Sequence, residues 1–337
     1  MGNTVDESTR LSTVVGMTSE NATTIEHAVA LTSQALRRVV DEVEKVVIEN
    51  RPTIELVVAA MCARGHVLIE AVPGTGKTTL AKTVAAVCGQ EAQRLQCTPD
   101  LLPGDITGVS VFNPATLTFE FRQGPVFTNI LHADEINRAT PKAQSALLEA
   151  MAERQVSIDG ITHHLPRPFL VIATQNPVEH EGTYQLPEAQ LDRFAVRASM
   201  SYPSVAASVR LITTHRATPP KPTPVITTSD LERISGTCES LWVDQKVAEY
   251  AVRLAEATRN HPDVELGASP RATLSLIRVA SAFAIMANRV YVSIDDVKNV
   301  AVPVVAHRLM LTQRARRQGR PASDIVLEIL SALRVPN

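Results

Sequence analysis

One run constrains this chain more than any other. A short apolar segment, His66–Glu70, passes into Ala71-Val72-Pro73-Gly74-Thr75-Gly76-Lys77-Thr78 and then straight into a helical pattern over Lys77–Val87. A strand that turns through glycines into a helix N-terminus points backbone N–H groups inward and adds a positive dipole end, which together suit a phosphate. Lys77 is then expected to neutralise the β- and γ-phosphates, and the Thr78 hydroxyl to ligate Mg²⁺. Pro73, Gly74, Thr75, Gly76 and Thr79 complete the expected cradle for ATP. The full pattern begins with Gly where this chain has Ala71, which is tolerated if φ stays negative there, since only φ above zero requires Gly. The flanking strand and helix argue against a chance Gly-rich turn.

A phosphate loop needs acids nearby, and Asn129–Ala133 reads as a buried strand that runs into Asp134-Glu135. Acids at the carboxyl edge of such a strand are costly unless they face a ligand. Successive strand residues point to opposite sides. Asp134 is therefore expected to hold Mg²⁺ through water, and Glu135 to turn toward the attacking water as general base. His132, in the same strand, reads as a packed, hydrogen-bonded histidine. A further strand, Phe169–Thr174, ends in Gln175-Asn176, and ligands lie off the carboxyl ends of parallel strands. Asn176 would then sit beside Glu135 and orient the water or sense the γ-phosphate, although Asn before Pro177 is by itself an ordinary turn. Arg271 stands in the first turn of a helix opened by Ser269-Pro270, where the dipole disfavours a cation unless an anion faces it. Arg193, after Gln185–Asp192, completes the candidates; out of context either arginine is an ordinary surface residue.

The rest of the chain supplies the frame. His66–Glu70, Ala92–Gln96, Asn129–Ala133 and Phe169–Thr174 read as buried strands alternating with helices such as Lys77–Val87 and Pro141–Glu153, which predicts a parallel sheet covered on both faces. Thr140 and Pro141 mark the start of the second of these helices. Beyond about Pro203 the strands stop, and Val243–Arg259, Ser269–Ala287, Ser293–Leu311 and Ala322–Leu333 carry helical patterns, with a capping box at Ser293 and Asp296. The expectation is a tail over residues 1–24, an α/β P-loop core over 25–203 and an all-helical domain over 204–337. A helical pattern begins at His27, another helix covers Thr53–Ala63, and Ala217–Val225 is expected to be an extended loop.

Charge and composition narrow the function. A formal net charge of −2 and 4% aromatics give neither the basic field nor the stacking surfaces of a nucleic-acid binder. The longest apolar run, Ile54–Ala63, is too short to span a bilayer, and no secretion signal is evident, so a cytoplasmic protein with no stable membrane insertion is expected. Cys62, Cys88, Cys97 and Cys238 show no zinc spacing and read as core thiols.

In this order the pieces resemble the AAA+ ATPases, and within them the MoxR family. The resemblance is carried by Gly65–Glu70, Asp134-Glu135-Ile136-Asn137-Arg138-Ala139, Gln144–Met151, Ala173–Pro177, Glu188–Phe194 and Gly267–Ala272, and it covers the chain from about residue 30 onward. It implies that Lys77 and Thr78 form the Walker A site, and Asp134 and Glu135 the Walker B site. By the same resemblance Asn176 is sensor 1, Arg271 sensor 2, and Arg193 an arginine finger reaching a neighbouring subunit, which implies a homo-oligomeric ring, usually a hexamer. Such an arginine is worth roughly 10³–10⁵ in rate. The family further implies β-hairpin insertions, matching the patterns at Thr107–Phe121 and Gln155–His163, and protein clients, among them proteins with von Willebrand factor A domains. It is associated with ATP-driven, chaperone-like maturation of partners. A scaffold that holds ATP without turnover and a nucleic-acid-linked motor are the alternatives. Where the family often has Gly-Gln near the adenine, this chain has Glu49-Asn50.

Overall fold

The computed structural model describes residues 19–176, 182–215 and 221–336. Most of the expected tail, Pro177 and part of the Pro-rich stretch lie outside these residues.

The chain opens with helix α1 (Ser19–Glu44), which starts ahead of the helical pattern seen in the sequence and takes in the end of the segment read as tail. Helix α2 (Arg51–Cys62) follows and leads into β1 (His66–Ala71), then α3 (Lys77–Val87), β2 (Ala92–Gln96) and the short α4 (Pro103–Thr107). A hairpin, β3 (Gly108–Asn113) and β4 (Thr118–Gln123), precedes β5 (Ile130–Asp134) and a 3-10 turn over Ile136–Arg138. Next come α5 (Pro141–Glu153), a second hairpin of β6 (Gln155–Ile158) and β7 (Ile161–His164), then β8 (Leu170–Gln175), α6 (Glu188–Leu191) and β9 (Phe194–Met200). Both hairpins are antiparallel, as the alternating patterns led one to expect.

The central sheet has five strands in the order β2-β5-β8-β1-β9, every pair parallel. Its middle strands are mostly apolar and almost wholly buried because both faces are covered. Val67 and Ile69 of β1 join a cluster with α1, α2 and α3, whereas Leu68 points the other way into a cluster with Leu147 and Met151 of α5. The same alternation runs through β5 and β8. Two strands depart from the sequence reading. Ala92–Gln96 is an edge strand on which only Leu95 is buried, because its alternating polar residues suit one solvated side. The opposite edge strand, β9, was not recognised at all.

The remainder is helical: α7 (Val205–His215), α8 (Thr228–Ser240), α9 (Gln245–Arg259), α10 (Pro270–Met286), α11 (Ile294–Val305), α12 (Gln313–Arg317) and α13 (Ala322–Ala332). It also holds four short strands that the sequence reading did not contain. Trp242–Val243 (β10) pairs in parallel with Tyr291–Val292 (β12), and Val264–Leu266 (β11) pairs antiparallel with Met310–Leu311 (β13). Pieces of two or three residues are too short to show a period of two. The helix expected over Ser293–Leu311 ends at Val305 and passes through a 3-10 turn at Ala306–Arg308 into β13. Ser293 and Asp296 form the expected capping box, and Thr227 with Asp230 forms another that starts α8.

Core and helical part share one apolar cluster, running from Val57 and Val67 to Leu276, Val300 and Ile325. Polar contacts reinforce the join at the sheet edge, where Arg308 donates to the Phe194 carbonyl at 2.6 Å and the His307 ring lies 3.1 Å from the same oxygen. The edge of β9 is thereby capped by the helical part instead of being left open.

Candidate active site

The loop after β1 is built by two left-handed residues. Gly74 has φ +82° and Gly76 φ +90°, and nothing lies within 4 Å of where a Cβ would stand on either. The glycines are needed for their dihedrals, not for space. Ala71 is not among the residues with positive φ, which meets the condition under which alanine can replace the first glycine. Gly76 then caps α3, whose first residue is Lys77. The Lys77 ammonium is turned inward, donating to the carbonyls of Ala71 at 2.9 Å and Val72 at 3.2 Å. Burial lowers its pKa, against the pull of Asp134 and Glu135, whose charges favour the ammonium. Thr75 is held by a bond from its hydroxyl to the Val72 carbonyl at 3.0 Å, Thr78 is half-buried, and Pro73, Gly74 and Thr79 are exposed.

Asp134 closes β5 two strands away, with its carboxylate almost buried. Burial alone would raise its pKa; Arg94 and the Thr174 hydroxyl reverse this and hold it below the usual carboxylate range. Thr174 donates to Asp134 Oδ1 at 2.8 Å, and Arg94 donates to Oδ2 at 2.6 Å. Glu135 is not the next residue of the strand, as the alternation argument assumed. It leaves the strand at φ +57°, ψ +51°, and its N–H donates to Thr174 Oγ1 at 3.0 Å. A left-handed glutamate is strained, and the flanking contacts keep it there. Its carboxylate accepts from Arg138 at 3.1 Å and from Gln96 at 3.3 Å. One hydroxyl, that of Thr174, thus links both acids. Asn176 lies two residues further on, buried at the carboxyl end of β8.

Thr174, Arg94 and Gln96 were missed by sequence reasoning. Thr174 carried a signal, being a polar residue inside an apolar strand two places before Asn176. Arg94 and Gln96 had only the alternation of their strand. His132 is buried as expected, but neither ring nitrogen has a hydrogen-bond partner; its Nε2 is 3.7 Å from Asp134 Oδ1. Desolvation lowers its pKa to about 4, so it is neutral at pH 7.

On the same carboxyl edge lies a cavity of about 610 Å³ between core and helical part, lined by Glu49, Asn50, Glu70, Ser199, Ser201 and Asn299 among others. Glu49 has φ +59°, a conformation glycine takes without strain, and its carboxylate accepts from the Ser204 N–H at 2.9 Å and the Ser204 hydroxyl at 2.8 Å.

Arg193 and Arg271 lie elsewhere. Both line a cavity of about 430 Å³ together with Gly65 and His66, at the amino end of β1. Lys77 follows the carboxyl end of that strand. Six residues separate the ends by about 17 Å, so the fold does not bring either arginine to Lys77 of the same chain. Arg193 donates to the Leu148 carbonyl near the middle of α5.

The residues at the carboxyl edge suit a metal-bound triphosphate: an open glycine cradle, an ammonium, a hydroxyl at the first turn of a helix and a carboxylate of low pKa. Among the described residues no group of three or more His, Cys, Asp or Glu could hold a metal unaided. A cation bound here takes its other ligands from phosphate and water. Among the described residues no helix is long and apolar enough to cross a membrane.

Comparison with known proteins identifies the family. Residues 66–196 match the ATPase family associated with various cellular activities (AAA), and residues 256–329 match the AAA lid domain. The chain is 45% identical over 303 residues to the uncharacterized protein YeaC of Bacillus subtilis, covering 89% of this chain and 95% of that one. It is 40% identical over 310 residues to the chaperone MoxR1 of Mycobacterium tuberculosis, covering 89% and 82%. A crystal structure from Cytophaga hutchinsonii, described as a candidate ATPase, superimposes with a TM-score of 0.87 at 35% identity, over 94% of this chain and 99% of that one. The chain belongs to the MoxR family of AAA+ ATPases.

Proposed function

We propose that this chain hydrolyses Mg-ATP in a ring of like subunits and uses the cycle to remodel or mature partner proteins. Lys77 and the loop Pro73–Thr79 hold the phosphates, Thr78 and, through water, Asp134 hold the cation, and Glu135 takes the proton of the attacking water. When bound, the cation neutralises charge building on the phosphate oxygens. Thr174 keeps both acids in register, and Asn176, at the end of the adjacent strand, orients the water. The cavity at Glu49-Asn50 takes the adenine. Arg193 and Arg271 serve the nucleotide of the neighbouring subunit.

The observation that carries this reading is the division of the machinery between the two ends of β1. A cation-and-acid site sits at one end, an arginine-lined cavity at the other, and one chain cannot join them. Client handling is supported by the name of the mycobacterial relative and by the β3–β4 hairpin. That hairpin leaves Leu117 and Phe119 exposed, the latter stacked edge-on with Phe112 at 5.4 Å. The proposal extends to clients with von Willebrand factor A domains and to a cytoplasmic location, and family membership is the support for both.

Subunit mixing tests the division. Lys77→Ala and Arg193→Ala are each expected to be inactive alone, and a mixture should regain activity because some interfaces pair an intact loop with an intact arginine. No recovery would refute completion in trans. A second reading, an ATP-stabilised scaffold with negligible turnover, draws on the fact that Arg94, Gln96 and Arg138 occupy both acids. Phosphate release that is the same in the native chain and in Glu135→Gln would favour it.

A further inference from the structure

The arginine cavity holds more positive charge than two functional arginines account for. Arg64, Arg154 and Arg278 line it beside Arg193 and Arg271. Arg64 is neutralised by Glu232 at 3.0 Å and Glu239 at 2.9 Å. Asp192, one of two acids in the lining, is already committed to Arg308 at 3.3 Å and to the Ser269 hydroxyl at 3.0 Å. The other acid, Glu153, makes no ion pair within the cavity among the described residues. Arg154, Arg193, Arg271 and Arg278 are left, among the described residues, without a carboxylate in contact.

The backbone explains why these four point to one place. Arg271, Ser275 and Arg278 fall on one face of α10 at spacings of four and seven. Arg154 ends α5 in the left-handed region at φ +54°, and one end of its guanidinium donates to the Arg64 carbonyl at 2.9 Å, which ties the group to the cavity wall. Its charge is opposed by burial and then by Arg64, Arg167 and Arg278, with Glu232 pulling the other way more weakly. Four guanidiniums converging on one cavity, none of them in contact with a carboxylate among the described residues, repel one another unless an anion of high charge enters between them.

We propose that Arg154 and Arg278 are polyphosphate-binding residues of this cavity, acting with Arg193 and Arg271 on the triphosphate of a nucleotide held by a second copy of the chain. The inference rests on the trans reading of Arg193 given above and extends it to two residues with no assigned role. Planar guanidiniums take phosphate oxygens two at a time, so four of them can grip a triphosphate along its length instead of at the γ-phosphate alone.

The test separates the cavity from the loop and the nucleotide from free anion. In the Lys77→Ala chain the glycine loop is disabled, and calorimetry with inorganic tripolyphosphate reads the cavity. Binding is expected, and it should weaken about tenfold when Arg278→Gln is added. Arg278 is exposed, so the substitution leaves the fold intact, and Arg154→Lys serves as the conservative second variant, expected to retain part of the affinity. In turnover assays Arg278→Gln should lower kcat with little change in KM, and mixing with Lys77→Ala subunits should restore activity. Tripolyphosphate binding that ignores both substitutions overturns the proposal. So does weakened binding without rescue on mixing, because the cavity would then hold free polyphosphate and not a neighbour's nucleotide. Rescue of Arg193→Ala with no effect of Arg278→Gln on kcat would leave the trans reading standing and sink only the claim for Arg154 and Arg278.

Discussion

Arg94 occupies the oxygen of Asp134 that faces away from Thr174, and its removal should show how much the resting site is held closed. The contact is 2.6 Å long, between a guanidinium about half exposed and a carboxylate with only 10% of its side chain accessible. A hydrogen bond to a charged group contributes about 1.5–3 kcal/mol when buried, and exposure of the arginine brings the figure to about 1 kcal/mol. If Asp134 must release Arg94 before it can hold the water shell of a cation, that sum opposes cation binding. Arg94→Ala should then raise the apparent Mg²⁺ affinity of the ATP-loaded chain about fivefold, since 1.4 kcal/mol corresponds to a factor of ten. It should also lower unfolding stability by about 1 kcal/mol, because Asp134 loses a partner. Mg²⁺ titration of a fluorescent ATP analogue on Glu135→Gln, with and without Arg94→Ala, reads the first; urea denaturation reads the second. An unchanged or lowered Mg²⁺ affinity would refute the idea that Arg94 competes for Asp134, and would make it a residue that positions the carboxylate.

Gly76→Ala should weaken ATP binding about tenfold in calorimetry and leave the fold intact, because an alanine at φ +90° costs about 1–2 kcal/mol and has room for its methyl group; unchanged affinity would show that the loop adapts. The buried ring of His66 accepts from the Val171 N–H at 3.0 Å and faces the Met151 carbonyl at 3.1 Å, a pairing only the neutral ring satisfies. Desolvation lowers its pKa to about 4, so its contribution to stability is complete above pH 6.5 and is lost as pH falls toward 4. The amount is roughly 3 kcal/mol. His66→Gln should flatten the fall in denaturation free energy across that window by up to one proton's worth of slope, and an identical slope would show that the site opens to water.

Much of the frame was legible because its signals are local. The helix over Pro141–Glu153 was bounded by a Thr-Pro start and a stripe of apolar residues, and the structure has the same bounds. The phosphate loop and the Asp134 strand carried their own punctuation. What escaped was set by partners distant in sequence. Nothing in Phe194–Met200 announces a strand, since its pairing with β1 and its cover by the helical part make it one. Glu135 escaped for the opposite reason. A strand pattern was extended one residue too far, while Thr174 on the next strand fixes the backbone in a turn. Arg94 and Asp134 are 40 residues apart and meet only because β2 and β5 are neighbours in register, with Gln96 opposite Asp134.

Placement of Arg193 is the hardest of these to read locally and has the largest consequence. The sequence puts it after a helical turn, and the parallel register of His66 with Phe194 puts it at the amino end of β1. Lys77 comes after the carboxyl end. A separation of about 17 Å exceeds what one arginine side chain can bridge, so turnover that uses Arg193 must use a second copy. Activity per subunit should therefore fall on dilution, by a factor approaching the roughly 10³ that a missing arginine costs, and it should fall over the same concentration range in which sedimentation shows subunits separating. ATP binding measured at the same concentrations should decline far less, because Lys77 and the glycine loop belong to a single chain. A rate per subunit that stays constant while the assembly comes apart would mean that the carboxyl edge of the sheet works alone, and the arginine-lined cavity would need another purpose.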